Sequence, residues 1–240
     1  MVVVNTSKGL ENGTHKLISD VIREEVKESP IVILSGPSHA EEVALGIPTT
    51  VVAASEDMEA AAYIQDTMSS NVFRIYINSD VVGCEIGGAL KNIIAVCAGI
   101  CDGLNYGDNT KAALMTRGIT EIGRLGVALG ASASTFAGLT GIGDLIVTCT
   151  SMHSRNRRAG ILIGQGVSPE EAVKLVGTVE GYNCCKVALE LANKVGVSMP
   201  ITEQLNNVLF NKGNVKEALG KLMSRPKKLS LIHISEPTRH

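Results

Sequence analysis

Apolar and polar positions change period once along the chain. Up to about residue 79, short β-branched runs alternate with helical stretches. Val2-Val3-Val4, Ile31-Val32-Ile33-Leu34, Thr50-Val51-Val52-Ala53 and Val72-Phe73-Arg74-Ile75-Tyr76 read as strands. Between them, Leu17, Ile18, Val21, Ile22 and Val26 fall on one helical face, Ala40 to Leu45 makes a turn or two, and 57–68 is a longer helix. Strands alternating with helices predict a doubly wound parallel sheet. From about residue 80 the period is helical throughout, over 81–102, 109–130, 152–165, 168–176, 184–195, 201–211 and 214–223. Ser168-Pro169-Glu170-Glu171 has the form of a helix start, with a capping Ser, Pro in the first turn and acids at the positive dipole end. The expected fold class is therefore α/β, a partial Rossmann-type parallel sheet over 1–79, followed by an all-α part over 80–228. Residues 229–240 follow a natural helix end, match no pattern before it and resemble translated vector sequence, so they are set apart from the fold.

Composition narrows the function classes. Lys+Arg 22 against Asp+Glu 24 gives a formal charge of -2, with no basic run of the kind that binds nucleic acid. Hydrophobic residues at 45% and charged residues at 19% exclude disorder as the general state. With no Trp, 4 Tyr and 3 Phe, the core is left to Ala, Val, Ile, Leu and Met. The longest apolar run, Ile93 to Cys101, is about half of what spans a bilayer, and no secretory signal follows Met1. The six cysteines form neither CxxC pairs nor a disulfide rhythm. A reduced, cytoplasmic protein with no membrane span and no metal site is expected.

Four places could carry chemistry. Lys91 lies in Ile86-Gly87-Gly88-Ala89-Leu90-Lys91-Asn92-Ile93-Ile94, a helix apolar on nearly every side. Such a Lys either snorkels to a surface or is held in a site, where desolvation lowers its pKa toward that of a neutral-pH acid/base. Gly83, Gly87 and Gly88 leave one side of that helix bare for another backbone or a ligand. Asp144, in Gly141-Ile142-Gly143-Asp144-Leu145, reads either as a helix cap or as a site residue, and Ser154-Arg155-Asn156-Arg157-Arg158 shortly after it could clamp a phosphate or carboxylate. Ser35-Gly36-Pro37-Ser38-His39-Ala40 leaves the carboxyl end of a strand, where ligands bind in doubly wound sheets, with Ser38 as a cap and His39 as a turn residue. Ser7-Lys8-Gly9 leaves the first strand the same way, directing Lys8 to the same crevice.

Ser7-Lys8-Gly9, Leu34-Ser35-Gly36-Pro37-Ser38-His39-Ala40, Gly87-Gly88-Ala89-Leu90-Lys91-Asn92, Gly141-Ile142-Gly143-Asp144-Leu145 with Thr148-Cys149-Thr150-Ser151, Ser154-Arg155-Asn156-Arg157-Arg158 and Val179-Glu180-Gly181-Tyr182 occur in this order. Together they resemble the bacterial NAD(P)-dependent glycerol-3-phosphate dehydrogenases from about residue 2 to about 227. The resemblance implies hydride transfer between NAD or NADP and C2 of glycerol 3-phosphate or dihydroxyacetone phosphate, supplying phospholipid synthesis. It makes 1–79 the later part of a dinucleotide-binding domain and 80–228 the substrate domain. It implies Lys91 as general base, with Lys8, Asp144 and Thr148 as its catalytic companions. Gly36, Ser38, Asn92, Ser154, Arg155 and Asn156 would join Lys8, Lys91 and Asp144 on the substrate, while Lys8, Ala40, Arg155, Thr178 and Glu180 would face the cofactor.

The family opens with a strand and a Gly-rich fingerprint, and G-x-G-x-x-G occurs nowhere in this chain. The expectation is that these 240 residues alone bind no dinucleotide and are inactive. Two other readings stay open: a folded helical module that only self-associates, through exposed strand edges among others, and another hydroxyacid dehydrogenase of the same plan.

Overall fold

A computed structural model describes residues 1–226. Four strands, β1 (Val3–Asn5), β2 (Ile31–Ser35), β3 (Thr49–Ala54) and β4 (Phe73–Asn78), form one sheet in the order β1-β2-β3-β4. Three helices accompany them: α1 (Ile18–Glu25), α2 (Ala40–Ala44) and α3 (Met58–Met68). The sheet is mixed, which corrects the all-parallel expectation. β1 with β2 and β3 with β4 are parallel, but β2 and β3 are antiparallel, with Leu34 opposite Ala53. The connection between β2 and β3 explains the reversal. A parallel crossover must carry the chain back along the whole strand, about 16 Å for five residues. The five-residue α2 rises only about 7.5 Å, so the chain turns and runs back instead.

Alternation along β2 divides the apolar side chains between two faces. Val32 and Leu34 pack with Val51, Ala53 and Ile75 against Ala60 and Ile64 of α3. Ile31 and Ile33 pack with Val52 and Ala54 against Val81 and Cys84. Both faces of β2 are covered, which is why it reads as a continuous apolar run.

From Val81 onward every element among the described residues is helical: α4 (Val81–Gly103), α5 (Asp108–Ala128), α6 (Asp144–Thr150), α7 (Arg155–Gly164), α8 (Pro169–Val176), α9 (Glu180–Lys194), α10 (Pro200–Phe210) and α11 (Val215–Met223). Polar side chains start several of them. Asp80 accepts from the Gly83 N–H, Ser154 from that of Arg157 and Ser168 from that of Glu171. Periodicity did not reveal a 3₁₀ turn at Ala133–Ala137, a π-type turn at Leu139–Gly143 or α6. These pieces are short, five to seven residues each. What holds them is contact with α4: a Cβ on Gly87 would lie 2.6 Å from the Thr140 carbonyl oxygen. The bare side expected of α4 thus receives another backbone.

α4 is the axis of the helical part and is buried along almost its entire length. By length and hydropathy it could cross a membrane, but here 89% of its most apolar window is covered by protein. Glycines let α7 approach it closely. A Cβ on Gly160 would lie 2.1 Å from the Val96 carbonyl oxygen, and one on Gly164 would lie 2.5 Å from that of Ile100. Behind α4, the buried Glu121 of α5 accepts the N–H groups of Ile201 and Thr202 at the start of α10, and its burial raises its carboxyl pKa to about 7.

Gly160→Ala should force the crossing apart at a cost of about 1–3 kcal/mol, lowering Tm by several degrees in calorimetry. A Tm within about 1 °C of the parent would show that the two helices separate freely.

Candidate active site

The site is assembled where the loop after β1, the loop after β2, the middle of α4 and the start of α6 converge. Lys91 is on α4 and is 6% exposed, and its ammonium donates to Asp144 Oδ1 and, at 2.8 Å, to Thr148 Oγ1. Lys8 reaches the same carboxylate past Gly88. Its Nζ lies 2.7 Å from Asp144 Oδ2 and 3.1 Å from the Gly36 carbonyl oxygen. Thr148, one turn beyond Asp144 on α6, accepts from Lys91 and donates to the Asp144 carbonyl at 2.6 Å. Asp144 is therefore not a cap. It is the first residue of α6, is 1% exposed and is shared by two ammonium groups.

One carboxylate between two lysines leaves a net positive charge under a cleft, a suitable floor for an anion. Burial lowers the Lys91 pKa, the nearby Lys8 charge lowers it further, and Asp144 opposes both, leaving it at about 8. A neutral amine is thus accessible close to neutral pH.

Above this floor opens a cleft of about 750 Å³. Lys8, Ser38, Lys91, Asn92, Thr148, Ser154, Asn156 and Glu180 line it, with Ala40, Arg155 and Thr178 exposed at its rim. Gly36 and Asp144 lie beneath, bonded to the two lysines, so the structure brings every sequence-predicted site residue to one place. Some roles differ from expectation. Ser38 does not cap α2; its hydroxyl donates to the Gly36 carbonyl at 3.1 Å, and His39 occupies the cap position. Of the three arginines expected to form a clamp, Arg155 and Arg158 line the cleft, whereas Arg157 turns away to Asp102, 2.7 Å off, and to the Thr150 carbonyl.

Sequence reasoning did not single out His153 as a cleft residue, and placed His39 only as a turn residue. Their rings meet with centroids 5.9 Å apart at the cleft wall, and burial, with the Lys91 charge second, lowers the His39 pKa. Their only sequence signal is position, each lying beside a proposed binding motif. Among the described residues no group of three or more His, Cys, Asp or Glu is placed to hold a metal ion.

A family profile described as the C-terminus of NAD-dependent glycerol-3-phosphate dehydrogenase matches residues 80–220, and the profile for its N-terminus matches residues 1–61. The chain belongs to this family. A glycerol-3-phosphate dehydrogenase [NAD(P)+] of Clostridium perfringens is 58% identical over 229 residues, 95% of this chain and 69% of the relative. One from Fusobacterium nucleatum is 58% identical over 233 residues, 96% of this chain and 70% of its own. Among solved structures, the glycerol-3-phosphate dehydrogenase of Coxiella burnetii superposes with a TM-score of 0.89 at 38% identity, covering 94% of this chain and 69% of that one. This is an NAD(P)-dependent oxidoreductase family.

In this member of the glycerol-3-phosphate dehydrogenases, Asp144→Ala would leave two ammonium groups unpaired around a buried site. A loss of about 3–5 kcal/mol is expected near neutral pH. The loss should shrink at about pH 10, because Lys91, with its pKa near 8, is then neutral. Denaturant unfolding at the two pH values checks this. An equal loss at both would show that the carboxylate does not stabilise Lys91 as an ion.

Proposed function

We propose that the cleft binds glycerol 3-phosphate or dihydroxyacetone phosphate and that Lys91 moves the proton at O2 while hydride moves at C2. The observation that carries this reading is the buried Lys91–Asp144–Lys8 arrangement beneath a cleft rimmed by Arg155. When bound, NAD or NADP supplies the hydride acceptor for oxidation and the hydride donor for reduction. The cleft suits the reacting end of that cofactor: it lies at the carboxyl ends of β1 and β2, and Glu180 offers a carboxylate oxygen to an amide or hydroxyl donor. Lys8, Ala40, Arg155, Thr178 and Glu180 would hold it.

In the oxidising direction, neutral Lys91 takes the C2 hydroxyl proton and becomes the ammonium that Asp144 and Thr148 accept from. In the reducing direction the same ammonium returns the proton to the oxygen as the C–H bond forms. Lys8, fixed by Asp144 and the Gly36 carbonyl, places a second positive charge beside the developing alkoxide. Arg155, with Ser154 and Asn156 at the N-terminus of α7, supplies donors and a positive dipole end to the phosphate. Gly36, Ser38 and Asn92 complete the substrate wall.

The same reading divides the chain into a nucleotide part over 1–79 and a substrate part over 80–228; residues 227–240, including the set-apart tail, lie outside the described residues. It places the protein in a reducing cytoplasm, which the six unpaired cysteines suit. Self-association through the sheet edges, β1 and β4, belongs to the same proposal.

In a chimera, taken as parent, that carries the part of the Clostridium perfringens relative this chain does not match, Lys91→Ala should lower kcat by about 10²–10⁴ with little change in KM for the phosphate substrate. In the parent, oxidation should rise with pH through about 8, because the base is the neutral amine, and reduction should fall over the same range. Near-normal turnover in Lys91→Ala would overturn the assignment. Arg155→Ala should weaken dihydroxyacetone phosphate about 10- to 100-fold and leave dihydroxyacetone almost unchanged, as read by thermal shift and by NADH oxidation. Equal losses for both would favour a hydroxyacid dehydrogenase that does not read phosphate.

A further inference from the structure

Three side chains at the inner wall of the cleft form a ring of hydrogen bonds with only one self-consistent direction. The Gly181 N–H, which can only donate, bonds Asn156 Oδ1 at 2.8 Å. Asn156 Nδ2 donates to Asn92 Oδ1 at 3.0 Å. Asn92 Nδ2 donates to Glu180 Oε2 at 2.6 Å and lies 3.4 Å from the Gly88 carbonyl oxygen. A carboxylate and a carbonyl can only accept, so neither amide can be turned over. The ring leaves α9 at Gly181, passes through α7 and α4, and returns to α9 at the neighbouring residue, Glu180.

Two consequences follow. Both Asn92 N–H groups are directed to protein acceptors, so Asn92 has no donor left for a phosphate oxygen. Asn156 keeps one N–H, and Glu180 keeps one oxygen, for whatever enters the cleft. The ring also leaves no room for adjustment, since a Cβ on Gly181 would lie 2.3 Å from the Asn92 carbonyl oxygen.

We propose that Asn92 is a positioning residue that ties Glu180 on the cofactor side to Asn156 on the phosphate side, so that ordering one orders the other. The proposal rests on the functional reading above and replaces direct substrate contact by Asn92. It predicts positive coupling, because a ligand that fixes Glu180 prepays part of the ordering of Asn156.

The test is a double-mutant cycle in the full chain, read first by thermal unfolding without ligand. Asn92→Asp keeps the acceptor for Asn156 but sets a carboxylate against Glu180, so Tm should fall. Glu180→Gln in that background restores a donor and should recover most of the loss. Glu180→Gln alone, still able to accept from Asn92, should resemble the parent. The second readout is kinetic. In a chimera carrying the part of the Clostridium perfringens relative that this chain does not match, Glu180→Ala should raise KM for dihydroxyacetone phosphate about tenfold, although Glu180 lies on the cofactor side, and Glu180→Gln should raise it less. Parent-like Tm in Asn92→Asp, or no recovery in the double variant, would overturn the ring. An unchanged phosphate KM in Glu180→Ala would overturn the coupling. A chimera carrying the part of the Clostridium perfringens relative that this chain does not match, with no activity on either phosphate substrate, would instead count against the functional reading, leaving the unfolding cycle to judge the ring.

Discussion

The Asp144 carboxylate is the point on which the rest of the structure depends. It receives Lys91 from α4 and Lys8 from the loop after β1, so at the site one acidic group ties the strand part to the helices. Without it, a buried and a half-buried cation would face one another. With it, one excess positive charge remains below a cleft open to small anions. The cost of burying these ions is met in part by hydrogen bonds: Thr148 takes a second proton of Lys91 and the Gly36 carbonyl a second proton of Lys8. This arrangement makes Lys91 a base of moderate strength rather than a permanently charged lysine.

Small residues set the distances that allow this. Gly88 lets the Lys8 stem pass α4, Gly87 admits the backbone at Thr140, and Gly160 and Gly164 seat α7 against Val96 and Ile100. α4 therefore collects backbone neighbours on several sides, and Lys91 projects from a helix whose surroundings are fixed over most of its length. A base that must be placed within a fraction of an ångström is built on the most constrained element in the chain.

The sequence displayed those parts of the site that break a local rule. Lys91 is a charge in an apolar helix, Arg155 stands at a helix start, and Lys8 follows a strand; each was visible in its own neighbourhood. Asp144 was visible but ambiguous, because a cap and a shared counter-ion look alike until α4 is placed beside it. The partnership of Asn92 with Asn156 and Glu180 had no local signal, for it joins residues 64 and 88 positions apart. Arg157 could not be told from Arg155 by composition; only Asp102, 55 positions away, separates them. In the fold, long periodic helices were legible, whereas α6 and the turns before it were not. The direction of β3 was misread because the pattern of a strand carries no sign, and only the shortness of α2 decides it.

α4 also shapes how the chain comes into being. Its 23 residues are apolar enough to enter a membrane, and although α5 follows it at once, two other helices that cover it, α7 and α9, begin only at Arg155 and Glu180. During synthesis α4 leaves the ribosome well before either of them exists. For that interval a nascent chain displays a partly uncovered helix of membrane-spanning hydropathy, attractive to chaperones, to lipid and to other nascent copies. The helix that gives the base its fixed position is thus also the segment most exposed to misassembly, and its safety depends on how soon the chain beyond residue 155 arrives.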